Sequence, residues 1–278
     1  MIHYSKKNLV STCAGIDTLV HLAAMNNAEC ARDPLGAIRV NILNTARLIE
    51  AAKVSGVRRV IYFSTAHVYG PNLVGRIDET TLPKCRQPYA YSHRAAEDIV
   101  LAAANDNLTT IVIRLSNGFG APAHPAVNAW MLLVNDLCRQ AVTVQSLSLK
   151  SSGLQELDFV TLLDVSRLVS FMLDLPKVEV GDGLFNMGNG KSTRVIDMAR
   201  LIQKRCATMM GFTPEIHSQQ ASDIQKTNNL DYRIDKLLKT GFSLSSNMDE
   251  EVDAILQMCH EFFVIRSTSA QTLSHQAS

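Results

Sequence analysis

The chain has 278 residues, of which 46% are apolar, and this is enough to bury a sizeable core in one large domain or two lobes. Its 27 basic side chains are balanced by 26 acidic ones, which argues against nucleic acid and membrane surfaces as partners. Six scattered cysteines with no C-x-x-C pair argue against a metal site and a disulfide framework. No apolar stretch reaches about 18 residues and no signal-peptide core is found, so we expect a globular, cytoplasmic protein that acts on a small molecule.

Strands and helices alternate through the first part of the chain. Apolar and β-branched runs predict strands over residues 18–23, 60–64 and 109–115. Helical spacing of apolar residues predicts helices over residues 33–55 and 89–104. This alternation is typical of a parallel sheet covered by helices.

The regular alternation of predicted strands and helices ends at Pro122. We predict a strand at 158–162 and helices at 127–140, after Asp164, at 193–206 and at 249–264. Residues 265–278 are rich in Ser, Thr, Gln and Ala with almost no core residue, which predicts a disordered tail.

A candidate site follows the strand at 60–64. Ser64 and Thr65 come at its carboxyl end, where open α/β sheets bind their ligands. Tyr89 and His93 stand four residues apart after Pro88, so a helix would place them on one face. A hydroxyl, a phenol and a basic group are therefore predicted to converge on one substrate.

These segments resemble the active-site segments of the extended short-chain dehydrogenase/reductase family, the NAD(P)-dependent sugar-nucleotide epimerases and dehydratases. Further family-like segments follow in the family's order: residues 20–24 (VHLAA), 40–45 (VNILNT), 114–120 (RLSNGFG), 158–160 (DFV) and 185–188 (FNMG). The resemblance implies a Rossmann-like parallel sheet flanked by helices, with a smaller carboxyl-terminal substrate lobe. It divides the chain into a dinucleotide-binding core over residues 1–120, a substrate lobe with interleaved core segments over 121–264, and the tail over 265–278.

The family's roles transfer to matching positions of this sequence. Thr65 would orient the reacting sugar hydroxyl and Tyr89 would be the acid/base, while His93 stands where the family has lysine. The NAD or NADP cofactor would contact Ala23, Ala24, Asn41, Ser64 and His93. Asn117 would contact the nucleotide-sugar substrate together with Thr65, and no metal is expected.

Three departures shape the predicted function. The sequence has no G-x-x-G-x-x-G segment, so relative to the family we expect an amino-terminally truncated chain that lacks more than one βαβ unit of about 30 residues. His93 replaces a cation with a group that is mostly neutral at pH 7. Ala66 and His67 stand where the 4,6-dehydratases have an Asp-Glu pair, which favours an epimerase or a 4-keto reductase. The alternative is a non-catalytic protein of the same fold that binds a ligand or partner.

The resemblance also implies a homodimer, formed by the helix that begins near Pro34 and the helix that carries Tyr89. Small and apolar residues on the latter would form the contact: Ala95, Ala96, Ile99, Val100 and Ala103.

Structural roles remain open for the same site residues. Tyr89 alone would be an ordinary half-buried helix tyrosine, and His93 a surface or hydrogen-bonded histidine. Ser64 could satisfy backbone groups at the strand end, and Asn117 could cap the turn after a strand.

Overall fold

The computed structural model describes residues 6–220 and 229–265. Its strands, in chain order, are β1 (Thr18–His21), β2 (Arg59–Thr65), β3 (Arg76–Ile77), β4 (Thr109–Leu115), β5 (Asn117–Phe119), β6 (Ser146–Ser148), β7 (Glu156–Thr161), β8 (Leu184–Met187), β9 (Ser192–Arg194), β10 (Glu215–His217) and β11 (Asp231–Tyr232). Its α-helices are α1 (Lys6–Cys13), α2 (Asn27–Arg32), α3 (Pro34–Ala37), α4 (Thr45–Val54), α5 (Pro88–Ala102), α6 (Leu133–Val144), α7 (Leu162–Asp174), α8 (Lys177–Val180), α9 (Val195–Met210), α10 (Asp235–Lys239) and α11 (Met248–Cys259). Apart from Ile265, the predicted tail lies outside the described residues.

The chain forms two compact units. Within the described residues, the first unit takes the chain up to Ser116 and two returning segments, Arg167–Gly188 and Tyr232–Ser243. The second unit takes Asn117–Ser166, Asn189–Asp231 and the chain from Leu244 onward. The sequence prediction placed the first boundary after residue 120.

The first unit is built on a four-stranded sheet of order β1-β2-β4-β8 in which all neighbours are parallel. The predicted α/β fold with a Rossmann-like parallel sheet is confirmed. Because the strands run in one direction, their carboxyl ends share one edge, and Thr65 and Leu115 lie opposite each other there. This edge is where a ligand site of such a sheet is expected.

Helices α4 and α5 enclose the core of this unit against the sheet. The buried cluster includes Ile49 from α4, Val60 from β2 and Val112 from β4. Ala96, Val100 and Ala103 belong to the same cluster, which contradicts their predicted use as a dimer surface. Their small and branched side chains let α5 lie close to the strands instead.

The predicted helix over residues 33–55 is present but is not uniform. Asp33 starts it, since its Oδ1 accepts a hydrogen bond from the Gly36 backbone N–H at 2.8 Å. A π-helical segment, Ile38–Asn44, separates α3 from α4, and Asn41 is buried within it. A π-helical turn holds one residue more than an α-helical turn, and this changes the direction in which its side chains point.

Gly183 lies at a close approach between β8 and β4. Its φ is +79°, and a Cβ added there would lie 2.5 Å from the backbone oxygen of Thr110. A glycine is therefore required both by the backbone conformation and by the space beside β4.

The second unit contains a three-stranded sheet of order β5-β7-β9 and the parallel pair β6 and β10. Helices α6, α9 and α11 contribute most of its buried core. The predicted start of a helix near residue 127 is wrong, because α6 begins at Leu133. The indole N–H of Trp130 donates to the carbonyl of Pro125 at 2.8 Å, so local turns occupy the expected first helical turn.

Candidate functional site

Thr65 and Tyr89 meet at the carboxyl end of β2. Thr65 is 6% exposed, and its Oγ1 accepts a hydrogen bond from the His67 backbone N–H at 3.2 Å. Pro88 begins α5, so Tyr89 lies in the first turn of that helix. The side chain of Thr65 lies close enough to the phenol of Tyr89 to lower the pKa of that phenol. The predicted pairing of a hydroxyl with a phenol is therefore present in the first unit.

His93 follows Tyr89 by one helical turn and is 3% exposed. Its ring centroid lies 4.6 Å from that of Tyr89, with the rings edge to face. Its Nδ1 is hydrogen-bonded to the hydroxyl of Tyr62 at 2.8 Å. Its Nε2 is buried and has no hydrogen-bond partner among the described residues. Sequence reasoning did not single out Tyr62, because it stands inside an apolar strand.

Neither His93 nor Arg94 offers the phenol of Tyr89 a free positive charge. Burial lowers the pKa of His93 to about 4, so its imidazole is neutral at pH 7. Burial raises the pKa of Tyr89, and the hydrogen bond from Thr65 only partly opposes this. Arg94, the basic residue that directly follows His93, is paired with Glu97 at 2.8 Å and Asp98 at 2.6 Å. Tyr89 is therefore a phenol, and not a phenolate, at neutral pH.

A buried ion pair lies beside this site. Arg114 on β4 donates from Nε and Nη2 to the two carboxylate oxygens of Glu97 on α5, at 3.0 and 2.7 Å. Both side chains are essentially inaccessible to solvent. Ser64, predicted to contact the cofactor, donates to Glu97 at 2.5 Å. The Ser64 hydroxyl thus holds the ion pair against β2.

Sequence reasoning did not identify Glu97, although a signal for it exists. It lies on the same face of α5 as the buried residues His93, Ala96 and Val100. A carboxylate on the buried face of a helix predicts a buried cation as its partner, because an unpaired buried charge is strongly unfavourable. Arg114, near the carboxyl end of the β-branched strand β4, is that partner.

The other predicted cofactor residues lie near the end of β1. Ala23 and Ala24 are exposed in the loop that follows His21. Asn41 is 1% exposed, and its amide accepts from the Met25 backbone N–H at 2.8 Å and donates to the Ser92 hydroxyl at 2.9 Å. Asn41 therefore fixes the loop after β1 through its own hydrogen bonds.

Asn117 belongs to the second unit, where it begins β5. Its amide nitrogen donates to the backbone carbonyl of Asp158 on β7 at 2.9 Å. This contact joins two neighbouring strands, which differs from the turn cap that the sequence left open as the structural role of Asn117.

The model of the NAD dependent epimerase/dehydratase family matches residues 4–188. The chain belongs to this family. It is 30% identical over 200 residues to the dTDP-D-glucose 4,6-dehydratase of Mus musculus, a match that covers 68% of this chain and 52% of that protein. It is 26% identical over 192 residues to the GDP-6-deoxy-D-mannose reductase of Pseudomonas aeruginosa, covering 67% of this chain and 62% of that protein. The chain thus spans about half to three fifths of the length of these relatives.

A solved structure described as MoeE5 in complex with UDP-glucose and NAD matches the fold with a TM-score of 0.75 and 24% identity. The match covers 94% of this chain and 86% of that one. This likeness shows that the chain has the fold of the family.

The described residues fit one end of the family's dinucleotide. The unpartnered, buried Nε2 of His93 beside Tyr89 is suited to a hydroxyl of the nicotinamide ribose. None of the 14 glycines of the sequence forms a G-x-x-G-x-x-G segment, so the chain does not supply that cradle for the pyrophosphate. The fit is therefore to the nicotinamide nucleotide half.

No group of three or more His, Cys, Asp or Glu side chains that could hold a metal ion occurs among residues 6–220 and 229–265. Over those same residues, no helix has both the length and the apolar character needed to span a membrane.

Proposed function

We propose that this chain is a nucleotide-sugar epimerase or 4-keto reductase, and that its site favours reduction of a 4-keto group. The observation that carries the proposal is the neutral pair of Tyr89 and His93 at the end of β2. Reduction of a ketone takes up a proton, whereas oxidation of an alcohol releases one. A phenol is a proton donor, so its protonated form at neutral pH matches the reductive direction.

The chain's own residues divide the work on the sugar. Thr65 orients the C4 oxygen through its hydroxyl, and Tyr89 gives its proton to that oxygen as the carbonyl becomes an alcohol. A reduced nicotinamide, when bound, supplies the hydride that C4 receives. The resulting Tyr89 phenolate is then reprotonated from solvent. His93 lies under the phenol as a neutral group that holds it in place and contacts the ribose.

Dehydration at C5 and C6 is disfavoured, although one relative is a 4,6-dehydratase. That reaction needs a carboxylic acid and a carboxylate beside the sugar, and here those positions are Ala66 and His67. Ala66 has no titratable group. His67 is exposed, and its ring centroid lies 6.0 Å from that of Tyr89, so it lines the entrance to the phenol.

A non-catalytic ligand-binding protein is the second candidate. The observation that favours it is the missing glycine-rich segment, because the rest of the dinucleotide contact is weaker without a pyrophosphate cradle. It predicts that the chain shows no saturable binding of NADH or NADPH by calorimetry.

Substitution of Tyr89 tests the catalytic proposal. We expect Tyr89→Phe to lower kcat for reduction of a 4-keto nucleotide sugar by about 10²–10⁴-fold, because the proton donor is removed. Tyr91→Phe, two residues along the same helix, is the matched control and should keep wild-type turnover. Both variants should keep the wild-type circular dichroism spectrum. Full activity of Tyr89→Phe would refute the assignment.

We also propose a homodimer, with a contact different from the one that the sequence predicted. Leu35, Ile38 and Leu43 are exposed on the helical segment between Asp33 and Val54, at 70%, 42% and 43%. This is the exposed apolar side of a helix that the resemblance places in a subunit contact. Leu35→Asp should produce monomers by sedimentation, while Val178→Asp, at an 87% exposed site on α8, should not. An unchanged dimer in Leu35→Asp would exclude this surface.

The cytoplasm remains the proposed location. All six cysteines are free thiols in the structure, as expected for a reducing compartment.

A further inference from the structure

Resting on the proposed function, we propose that Tyr62 is a positioning residue that holds His93 as a neutral Nε2–H donor for a hydroxyl of the nicotinamide ribose. Tyr62 lies on β2 and His93 on α5, so the strand behind the site determines which ring nitrogen carries the proton. Tyr62 acts through His93 and takes no part in the proton transfer that involves Thr65 and Tyr89.

The tautomer follows from the hydrogen-bonding capacity of the two groups. Tyr62 is 1% exposed, and among the described residues its hydroxyl is bonded to His93 Nδ1 at 2.8 Å. If Nδ1 carried the proton, Tyr62 Oη would accept it, and both the phenol proton and the Nε2 lone pair of His93 would lack a partner in a buried site. With the proton on Nε2, only that N–H lacks a partner among the described residues, and the arrangement with fewer unpaired buried groups is favoured. Tyr62 therefore donates to Nδ1, and the proton of His93 sits on Nε2.

The surroundings keep this imidazole uncharged. His21 lies beside Tyr62 with ring centroids 5.4 Å apart and ring planes tilted by 36°, and its Nε2 is hydrogen-bonded to the Thr45 hydroxyl at 2.9 Å. Burial lowers the pKa of His21, as it does that of His93, to about 4. Burial raises the pKa of Tyr62, so its hydroxyl stays protonated and remains a donor. The three rings form an uncharged cluster in which one N–H donor has no partner among the described residues.

That leftover donor is the Nε2–H of His93. It is buried and without a partner among the described residues, although buried N–H groups in proteins are almost always paired. The half-exposed ring of Tyr89 lies edge to face against it, at 4.6 Å between centroids. An acceptor brought by a ligand next to Tyr89 would satisfy it. A neutral N–H suits a hydroxyl oxygen, whereas a phosphate would favour a cation.

Nitrogen-15 NMR of the histidine side chains tests the tautomer without any reaction. We expect His93 in the wild-type protein to be the neutral Nε2–H tautomer, and we expect a mixture of tautomers in Tyr62→Phe. Tyr69→Phe is the matched control, since Tyr69 is also a buried tyrosine in a side-chain hydrogen bond, at 2.6 Å to Asn186. It should leave His93 unchanged. A wild-type His93 protonated on Nδ1, or a Tyr62→Phe spectrum equal to wild type, would overturn the proposal.

Nicotinamide mononucleotide is the probe for the ligand, because it carries the nicotinamide ribose without the adenosine half. Its addition should shift the His93 Nε2–H resonance, and Tyr62→Phe should raise its Kd about tenfold relative to Tyr69→Phe. Binding that leaves the Nε2–H resonance unmoved would overturn the ribose contact while the cofactor proposal survives. Absence of binding to the wild type would count against the proposed function, and the tautomer measured without ligand would still decide the role of Tyr62.

Discussion

The buried pair of Glu97 and Arg114 gives the sharpest prediction about stability. Glu97→Gln keeps the shape of the side chain but removes its negative charge. Arg114 then remains buried with its charge uncompensated, because its Nε and Nη2 both donate to Glu97 in the native site. Burial lowers the pKa of Arg114, but the hydrogen bonds and charge of Glu97 outweigh this and raise it above the ordinary value. Glu97→Gln removes that support, but the guanidinium is basic enough to stay protonated in proteins, so its charge remains buried.

The expected loss of unfolding free energy is about 3–5 kcal/mol, the range for breaking a buried ion pair from one side. Urea denaturation followed by circular dichroism measures it. The control is Asp17→Asn, which breaks the pair with Arg58, whose side chains are 75% and 73% exposed. An exposed pair contributes about 0–1 kcal/mol. A loss for Glu97→Gln no larger than that for Asp17→Asn would refute the reasoning.

Three further predictions concern pH and one glycine. Burial lowers the pKa of His21 and His93 from 6.5 to about 4, so the unfolded chain binds more protons below pH 6.5. The contribution of the two neutral rings to the free energy of unfolding should therefore be fully present above pH 6.5 and should fall by about 2 kcal/mol per ring at pH 5. Equal urea midpoints at pH 7.5 and pH 5 would contradict this. Because the pKa of Tyr89 is raised, kcat for ketone reduction should stay level through neutral pH and fall only above about 10, and a fall near pH 7 would show a phenolate. Gly183→Ala should lower the free energy of unfolding by about 2–4 kcal/mol. Gly181→Ala, whose added Cβ meets nothing within 4 Å, should lower it by only about 1 kcal/mol. Equal losses for the two variants in thermal unfolding would exclude the close backbone contact at Gly183.

The parallel sheet could be predicted because its signals are local. The centre of the run over residues 109–115 is the apolar, β-branched sequence Ile111-Val112-Ile113, and the observed strand β4 has the predicted bounds. Such a run is typical of a strand buried on both faces. The π-helical segment Ile38–Asn44 could not be predicted, since one added residue in a turn leaves the apolar spacing almost unchanged. The predicted start of α6 at residue 127 was too early, because residues before Leu133 form turns in which the indole of Trp130 donates to the Pro125 carbonyl.

The site was predictable only in part, for a similar reason. Thr65 and Tyr89 carry a motif in sequence, and the structure brings them together. Tyr62 carries none, because an aromatic residue in an apolar strand is expected simply to pack. Its hydroxyl contacts His93 because α5 packs against β2, and this is a tertiary contact that the local sequence does not reveal. The sequence places Ser64 at the cofactor, and its hydrogen bond to Glu97 is a tertiary contact that no local pattern indicates.

The histidine at position 93 makes sense together with the residues around it. A lysine there would bring an ammonium group into a site where burial already keeps two imidazoles neutral, and the buried anion one turn along α5 is Glu97. That carboxylate is already shared by Arg114, Arg94 and Ser64. A neutral ring avoids the competition for Glu97, and Tyr62 gives that ring a defined donor. Tyr89 therefore keeps its proton at neutral pH, because burial raises its pKa and neither His93 nor Arg94 offers it a free positive charge. The protonated phenol is the form that can give a proton to a ketone oxygen.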